Sequence, residues 1–277
     1  MPAWLLARMG RHGEAAPIAG EVVDILRDIH GPRDLQVARM LADQAALLRV
    51  SGRWDETLPI RREVHDIFQE ELGPIDYRTH NALYELARVL SELGRHDEAL
   101  HLLEDVLEHG QLIFGTDSLF FANTQRVVAN LLVATGQPDQ AEPLYRAAIR
   151  TMLARFGPDF SGVEPAFDAL IALLIEQARH AEAEQAYLEV LEIERGSPGR
   201  RWALAQRLAG YAGLLRETGR ADEATGLLLE AVSLARSRRG DRDRDTHVMV
   251  KTTLDHLRRH APAHPELPAL ASAFPWL

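Results

Sequence analysis

One turn signal returns along the chain at a nearly constant interval, and this interval constrains the fold more than any other feature. The turn residues are separated by four steps of 42 residues and one step of 41. They are Gly10, Gly52, Gly94, Gly136, Ala178 and Gly219. A fixed period of this size is typical of a helical solenoid, in which each repeat buries its apolar face against its neighbours.

Three further series keep the same register as the turns. A leucine stands four residues before each turn, at Leu6, Leu48, Leu90, Leu132, Leu174 and Leu215. A small residue stands five residues after each turn, at Ala15, Thr57, Ala99, Ala141, Ala183 and Ala224. A second glycine stands 21 residues after each turn, at Gly31, Gly73, Gly115, Gly157, Gly199 and Gly240. Glycine permits positive φ at turns and helix ends, and small residues let two helices approach. The series therefore predict two helices per repeat.

Two stretches resemble a known family. GRHDEALHLLEDVL, which begins at Gly94, and GQPDQAEPLYRAAI, which begins at Gly136, resemble the turn and second helix of tetratricopeptide repeats. The usual repeat of that family has about 34 residues. The longer period here, with the links at 72–76 and 156–159, resembles the kinesin-light-chain type. The resemblance implies an all-α, right-handed superhelical solenoid of antiparallel helix pairs. It also implies that the first helix of each pair lines a concave, ligand-binding surface.

We expect the whole chain, 1–277, to form a single solenoid domain. Residues 1–34 would be an incomplete first repeat, residues 35–245 the following repeats, and residues 246–277 the capping helices. A solenoid needs an atypical end to cover its last apolar face. The residues predicted to form this cap are Leu267, Leu270, Phe274 and Trp276.

Composition disfavours several classes of partner. Lys and Arg number 31 against 41 Asp and Glu, which gives a formal charge of −10. This balance disfavours nonspecific binding to nucleic acid or to an anionic membrane surface. No apolar run reaches the roughly 18 residues that a membrane span requires. The chain has no cysteine, and hence no disulfide or thiol chemistry. We therefore expect a cytoplasmic protein that binds neither nucleic acid nor membrane.

The sequence contains no motif that predicts a cofactor, a catalytic centre or a metal site. His256, His260 and His264 are spaced by four residues, but Pro262 and Pro265 would break the helix that could align them. The arginines of the segment 236–244 alternate with aspartates, which is typical of a solvated loop rather than a phosphate site.

The resemblance implies ligand-facing positions 13, 10, 9 and 6 residues before each turn. Asparagine and arginine are frequent at these positions in the middle repeats, and both can bind peptide groups or carboxylates. The sixth repeat has small residues there, including Ala209 and Gly210, which predict an open pocket. The predicted groove residues are Arg39, Asn81, Tyr84, Glu85, Arg88, Asn123, Arg126, Asn130, Asp168 and Gln206.

The favoured function is a non-catalytic scaffold or sensor that binds a peptide or protein segment, with acidic segments as candidates, along repeats two to five. An alternative is an enzyme or small-molecule receptor with a pocket grafted on the solenoid. Its acid–base candidates would be Tyr84, Glu85, Arg88 and Asp168. A weaker alternative is the sensor subunit of a transcription regulator, whose DNA-reading domain would belong to another chain.

The beginning of the chain gives a further expectation. Met1 corresponds to about the sixth position of a repeat, so the first helix pair would have one face uncovered. Trp4, Leu5 and Ile18 would then be partly exposed, and exposed apolar patches often mark contact sites. The chain would either be an incomplete copy of a longer protein or form a homodimer through this uncapped N-terminal end.

Overall fold

The computed structural model describes residues 3–239 and 244–274, and within these ranges it contains α-helices, two short 3-10 helices and no β-strand. The helices of residues 1–151 are α1 (Ala3–Arg8), α2 (His12–His30), α3 (Leu35–Val50), α4 (Trp54–Leu72), α5 (Tyr77–Glu92), α6 (His96–Phe114), α7 (Leu119–Ala134) and the greater part of α8 (Pro138–Phe156). The following helices are α9 (Glu164–Glu176), α10 (His180–Arg195), α11 (Arg201–Glu217), α12 (Ala221–Arg239), α13 (Arg244–His260) and α14 (Glu266–Ala273). The predicted all-α class of paired helices is therefore confirmed.

The chain divides into two compact units, Met1–Thr151 and Met152–Leu277. In the first unit, each helix from α1 to α6 packs against the next helix in the chain. In the second unit, each helix from α9 to α13 packs against the next one. The prediction of one continuous domain remains a prediction. None of the helices in the described ranges combines the length and apolar composition that a membrane crossing requires.

The turn residues adopt the backbone conformation that the period predicts. The five turn glycines have φ between 71° and 80°. Ala178 has φ 56° and is the one non-glycine residue with positive φ in the described part of the chain. Gly31, Gly73, Gly115 and Gly157 also have positive φ, so the prediction for these helix ends is confirmed.

The prediction of a glycine with positive φ at the end of the second helix is wrong at Gly199. Helix α10 ends at Arg195, its C-cap Gly196 has φ −70°, and Pro198–Arg200 forms a short 3-10 helix. Gly199 therefore sits inside a helical turn, and its φ is not positive. The proline ring fixes φ near −65° at the start of this turn, and the repeat is one residue shorter here. Gly240 lies outside the described residues.

The leucine and small-residue series form the core between helices. The six leucines are at most 8% exposed, and all six small residues are 0% exposed. A further buried series, which the sequence reading missed, stands nine residues after each turn. Its members are Ala19, Arg61, Leu103, Tyr145, Tyr187 and Leu228. Of the predicted C-terminal cap, Leu270 and Phe274 are buried and Leu267 is half-buried, whereas Trp276 lies outside the described residues.

Polar side chains cap the N-termini of α3, α5 and α7, the first helices of three successive repeats, and they recur with the same 42-residue period. Asp34 accepts a hydrogen bond from the backbone N–H of Gln36 at 2.7 Å, and Asp76 accepts one from Arg78 at 2.8 Å. Ser118 Oγ accepts one from the backbone N–H of Phe121 at 3.1 Å. Such caps satisfy N–H groups that the helix itself leaves without a partner. They set where α3, α5 and α7 begin, and hence which face of each helix carries the candidate ligand residues.

Candidate binding groove

A cavity of about 690 Å³ lies between α5 and α7 in the first unit. Six of the ten predicted groove residues line it: Asn81, Tyr84, Arg88, Asn123, Arg126 and Asn130. Each helix contributes three of them at intervals of three and four residues, which places them on one helical face. The 42-residue period then repeats the same face on the neighbouring first helix.

The cavity brings a phenol and two guanidinium groups together. Arg88 Cζ lies 5.8 Å from the centre of the Tyr84 ring, and Arg88 Nη1 donates a 2.9 Å hydrogen bond to Glu85 Oε1. Arg126 Nε is buried and has no hydrogen-bond partner among the described residues. Burial raises the pKa of Tyr84, and the charges of Arg88 and Arg126 partly oppose this rise. Tyr84 therefore remains a protonated hydrogen-bond donor between two cations.

Glu85 does not line this cavity, although the resemblance implies that it faces a ligand. Its side chain is 18% exposed, and its second carboxylate oxygen lies 3.7 Å from Arg61 Nη2. Burial lowers the pKa of Arg61, and the charge of Glu85 offsets part of that effect. The carboxylate of Glu85 thus offsets the positive charges of Arg61 and Arg88 within the protein.

Asn130 is held by a side chain from the second helix of its repeat. The Tyr145 hydroxyl donates a 2.7 Å hydrogen bond to Asn130 Oδ1. This bond occupies the amide oxygen, so the Asn130 NH₂ group is left as the donor for a ligand. The sequence reading found Asn130 but not the tyrosine that orients it.

Aromatic side chains form one wall of the cavity. Phe120 lines it, with its ring centre 5.3 Å from that of Tyr84 and 5.0 Å from that of His80. His80 is 1% exposed, and neither ring nitrogen has a hydrogen-bond partner among the described residues. Burial lowers the pKa of His80 to about 4, with a smaller contribution from His109. His80 is therefore a neutral packing residue near pH 7.

A second cavity, of about 260 Å³, lies in the unit of residues 152–277 and contains two more predicted residues, Asp168 and Gln206. Arg207 forms ion pairs with Asp168 and Glu194. Burial raises the pKa of Glu194, although Arg207 and Arg200 oppose this. Gly210 also lines the cavity, as the prediction of a pocket at small residues of the sixth repeat requires.

The remaining candidates take no part in these cavities. Arg39 is exposed on α3 and lines none of the cavities described.

Helix α13 ends at His260, before Pro262, so the three spaced histidines do not share one helix. His256 instead contacts Thr225 Oγ1 at 2.9 Å. Within the described ranges, no group of three or more His, Asp or Glu residues could hold a metal ion.

The sequence model of the tetratricopeptide-repeat family matches residues 36–108 and 78–154. The chain contains tetratricopeptide repeats. These two matches cover α3 to most of α8, including both helices that line the larger cavity. A search of curated protein sequences finds no match.

Solved structures with similar folds support the same tetratricopeptide architecture. BtubC (BKLC) from P. vanneervenii is 18% identical over 85% of this chain and 94% of that chain, with a TM-score of 0.68. A putative kinesin light chain of Podosopora anserina with nearly identical TPR-like repeats is 19% identical over 74% and 99%, with a TM-score of 0.64. A Rap protein complexed with Competence and Sporulation Factor is 14% identical over 98% and 74%, with a TM-score of 0.56. At these identities the likeness shows the fold.

Proposed function

We propose that this chain is a non-catalytic binding module that holds an extended segment of a peptide or protein in the cavity between α5 and α7. The observation that carries the proposal is the convergence of Tyr84, Arg88 and Arg126 on one open cavity. The similar Rap protein was solved in complex with Competence and Sporulation Factor, which supports a binding role for this fold. Asn81, Asn123 and Asn130 would pair with peptide groups of the bound segment.

The charges around the cavity favour an acidic segment. Glu85 is shared by Arg61 and Arg88, and Arg126 has no ion pair among the described residues. Among the residues that line the cavity, the two arginines Arg88 and Arg126 face one carboxylate, that of Glu92. A carboxylate of the ligand would satisfy the excess positive charge and the N–H of Arg126 that has no partner. Guanidinium groups bind carboxylates in a two-pronged geometry, which gives both affinity and orientation.

The catalytic alternative finds no comparable support. Tyr84 is held protonated and Glu85 is held between two arginines, so neither is placed to abstract a proton. Asp168, the fourth candidate, belongs to the other compact unit and pairs with Arg207. The role of sensor subunit in a transcription regulator remains a prediction, as does the cytoplasmic location.

Selection of peptides from a random displayed library on the purified full chain tests the proposed function. Selected peptides are then titrated against the wild type, Arg88→Ala/Arg126→Ala, and the matched control Arg62→Ala/Arg150→Ala, whose arginines are exposed and outside the cavity. Loss of one charged hydrogen bond costs about 1.5–3 kcal/mol, so the cavity variant should bind at least about tenfold more weakly. Equal affinity for all three proteins would reject the cavity as the ligand surface.

Self-association through the N-terminal end also remains a prediction. Leu5 and Ile18 are half-buried, and the Trp4 side chain lies outside the described residues. Light scattering of the wild type and of Ile18→Asp at micromolar concentration tests this idea. A dimer that the substitution dissociates would support it, and a monomer in both cases would oppose it.

A further inference from the structure

A buried arginine of α4 has no hydrogen-bond partner among the described residues. The side chain of Arg61 is 7% exposed, and its Nε is buried without an acceptor. Its ion-pair contact with Glu85 has a distance of 3.7 Å between Nη2 and Oε2, which is too long for a hydrogen bond. The other oxygen of Glu85 accepts a 2.9 Å hydrogen bond from Arg88. The Arg61 guanidinium group therefore has five N–H donors and no acceptor in the described part of the chain.

A second arginine without a partner lies near Arg61, on α3. Arg49 is half-buried, its Nε is buried without an acceptor, and it makes no ion pair with the described residues. Burial lowers the pKa of Arg61, the charge of Glu85 opposes this effect, and the charges of Arg49 and Arg88 lower that pKa further. Arg49 and Arg61 are thus close enough for their charges to interact, and both have unused donors.

The repeat period explains why Arg61 lacks an acceptor. Arg61 and Tyr145 both stand nine residues after their turns, and Tyr145 donates to Asn130 on the first helix of its own repeat. The residue of α3 that corresponds to Asn130 is Ala46, whose side chain offers no acceptor. Ala46 is half-buried, so the protein covers this position only in part. The acceptor that one repeat supplies from its own first helix is therefore missing in the other.

The position of Arg49 places it in the groove between α3 and α5. Arg49 stands three residues before its turn, and the corresponding residue of the next repeat, Ser91, lines the cavity between α5 and α7. Ala42 and Ala46 stand at the two preceding groove positions of α3, so short side chains accompany Arg49 on this face. Arg49 therefore forms the more accessible part of the pair, and Arg61 forms the buried part.

The charges that act on Arg61 favour a ligand with one negative charge. They are the charges of Arg49 and Arg88, and those of Glu85 and Asp43. Together with Arg61, three guanidinium groups meet two carboxylates, which leaves an excess of one positive charge. A carboxylate supplies one negative charge and can accept two parallel N–H bonds from a guanidinium group. A phosphate group, with a charge of about −1.5 to −2, exceeds what the site requires.

We propose that Arg49 and Arg61 form a second ligand site, in the groove between α3 and α5, which binds a carboxylate group. This site includes a donor from a second helix, α4, in addition to the first helices. It is independent of the cavity between α5 and α7, because Arg126 takes no part in it. The carboxylate belongs either to an acidic side chain of a bound segment or to a small free acid.

NMR titration of the full chain labelled with ¹⁵N-arginine tests this site, because the Nε–H resonance of an arginine shifts when it gains an acceptor. The probes are Nα-acetyl-glutamate amide, its neutral counterpart Nα-acetyl-glutamine amide, acetate and inorganic phosphate. The variants are Arg61→Leu and Arg49→Ala. Leu103 occupies the position of Arg61 in the next repeat, so Arg61→Leu should fold.

The matched control is Arg216→Ala. Arg216 stands three residues before its turn, as Arg49 does, and its Nε is also buried without a partner. The residue nine positions after that turn is Leu228 rather than an arginine, so the second half of the site is missing there.

We expect the glutamate amide to shift the Nε–H resonances of Arg49 and Arg61 saturably, and the glutamine amide to leave them unchanged. Arg61→Leu and Arg49→Ala should each bind at least about tenfold more weakly, whereas Arg216→Ala and Arg126→Ala should bind as the wild type does. Acetate that binds as tightly as the glutamate amide would identify a free acid as the ligand, and weaker binding of acetate would identify a peptide side chain.

Three results would overturn the proposal. They are the absence of saturable shifts, tighter binding of phosphate than of the glutamate amide, and equal affinity of Arg61→Leu and the wild type. Loss of binding in Arg126→Ala would place the probe in the cavity between α5 and α7, and would also overturn it. Failure of the peptide selection on that cavity would leave these shifts unaffected.

Discussion

The guanidinium group of Arg61 lies 3.7 Å from the carboxylate of Glu85, and the two side chains are 7% and 18% exposed. Arg61 makes no hydrogen bond to the described residues, and its Nε is buried. The corresponding residue of the next repeat is Leu103. An arginine thus occupies a buried position that holds a leucine in the next repeat, and Glu85 supplies the opposite charge.

We expect substitutions of Glu85 and of Arg61 to change the stability of the protein in different ways. Glu85→Ala would leave the buried charge of Arg61 without its counter-charge and should lower the free energy of unfolding by about 3 kcal/mol. Arg61→Leu replaces the buried charge with an apolar side chain and should be neutral or stabilising. Urea denaturation followed by circular dichroism measures both. If Arg61→Leu destabilises the protein as much as Glu85→Ala, the attraction within the pair outweighs the cost of burying it.

Ala178 predicts a gain in stability on substitution by glycine. Its φ of 56° is unfavourable for a residue with a Cβ atom, by about 1–2 kcal/mol. Ala178→Gly should remove this cost but increase the entropy of the unfolded chain, which leaves a net gain of about 0.5–1 kcal/mol. The reverse change, Gly136→Ala, should destabilise by about 1 kcal/mol, since an added Cβ meets no atom within 4 Å and only the backbone matters. Equal thermal stability of the wild type and both variants would contradict this argument.

His80 predicts a loss of stability in mild acid. Its pKa is about 4 in the folded chain and 6.5 for an unperturbed histidine, so the unfolded state binds more protons between these values. Stability therefore rises with pH through this window and is lost as pH falls towards 4, by up to about 1.4 kcal/mol per pH unit. The free energy of unfolding should depend less on pH in His80→Leu. His101→Leu, at an exposed histidine, should retain the dependence of the wild type.

Tyr145→Phe predicts weaker ligand binding without any change in a residue that lines the larger cavity. The substitution removes the 2.7 Å hydrogen bond that holds Asn130 Oδ1. The amide can then rotate, and we expect peptides selected on the wild type to lose about 0.5–1.5 kcal/mol of binding free energy. Tyr77→Phe, at a tyrosine that is 60% exposed, serves as the control. Calorimetric titration that gives the same affinity for both variants would show that Asn130 needs no such support.

The features that the sequence predicted are those that depend on local chemistry. A glycine at a turn, or a small residue where two helices meet, can be interpreted from its own position in the sequence. The turns, the leucine core and the helix face that contains Asn81 and Arg126 could therefore be predicted. The role of Glu85 as a counter-charge could not be predicted, because it depends on Arg61, which lies 24 residues earlier on another helix. Gly199 was misread because the loss of one residue allowed Pro198 to begin a 3-10 turn instead.

The buried position nine residues after each turn has a consequence for redesign. Its occupants differ in size, polarity and charge, yet the turns before them keep the same backbone conformation. Arg61 contacts Glu85, which pairs with the cavity residue Arg88, and Tyr145 donates to the cavity residue Asn130, so each acts on the cavity from a second helix. A library restricted to these positions would vary recognition from beneath the binding surface, leaving every solvent-facing side chain of the groove unchanged.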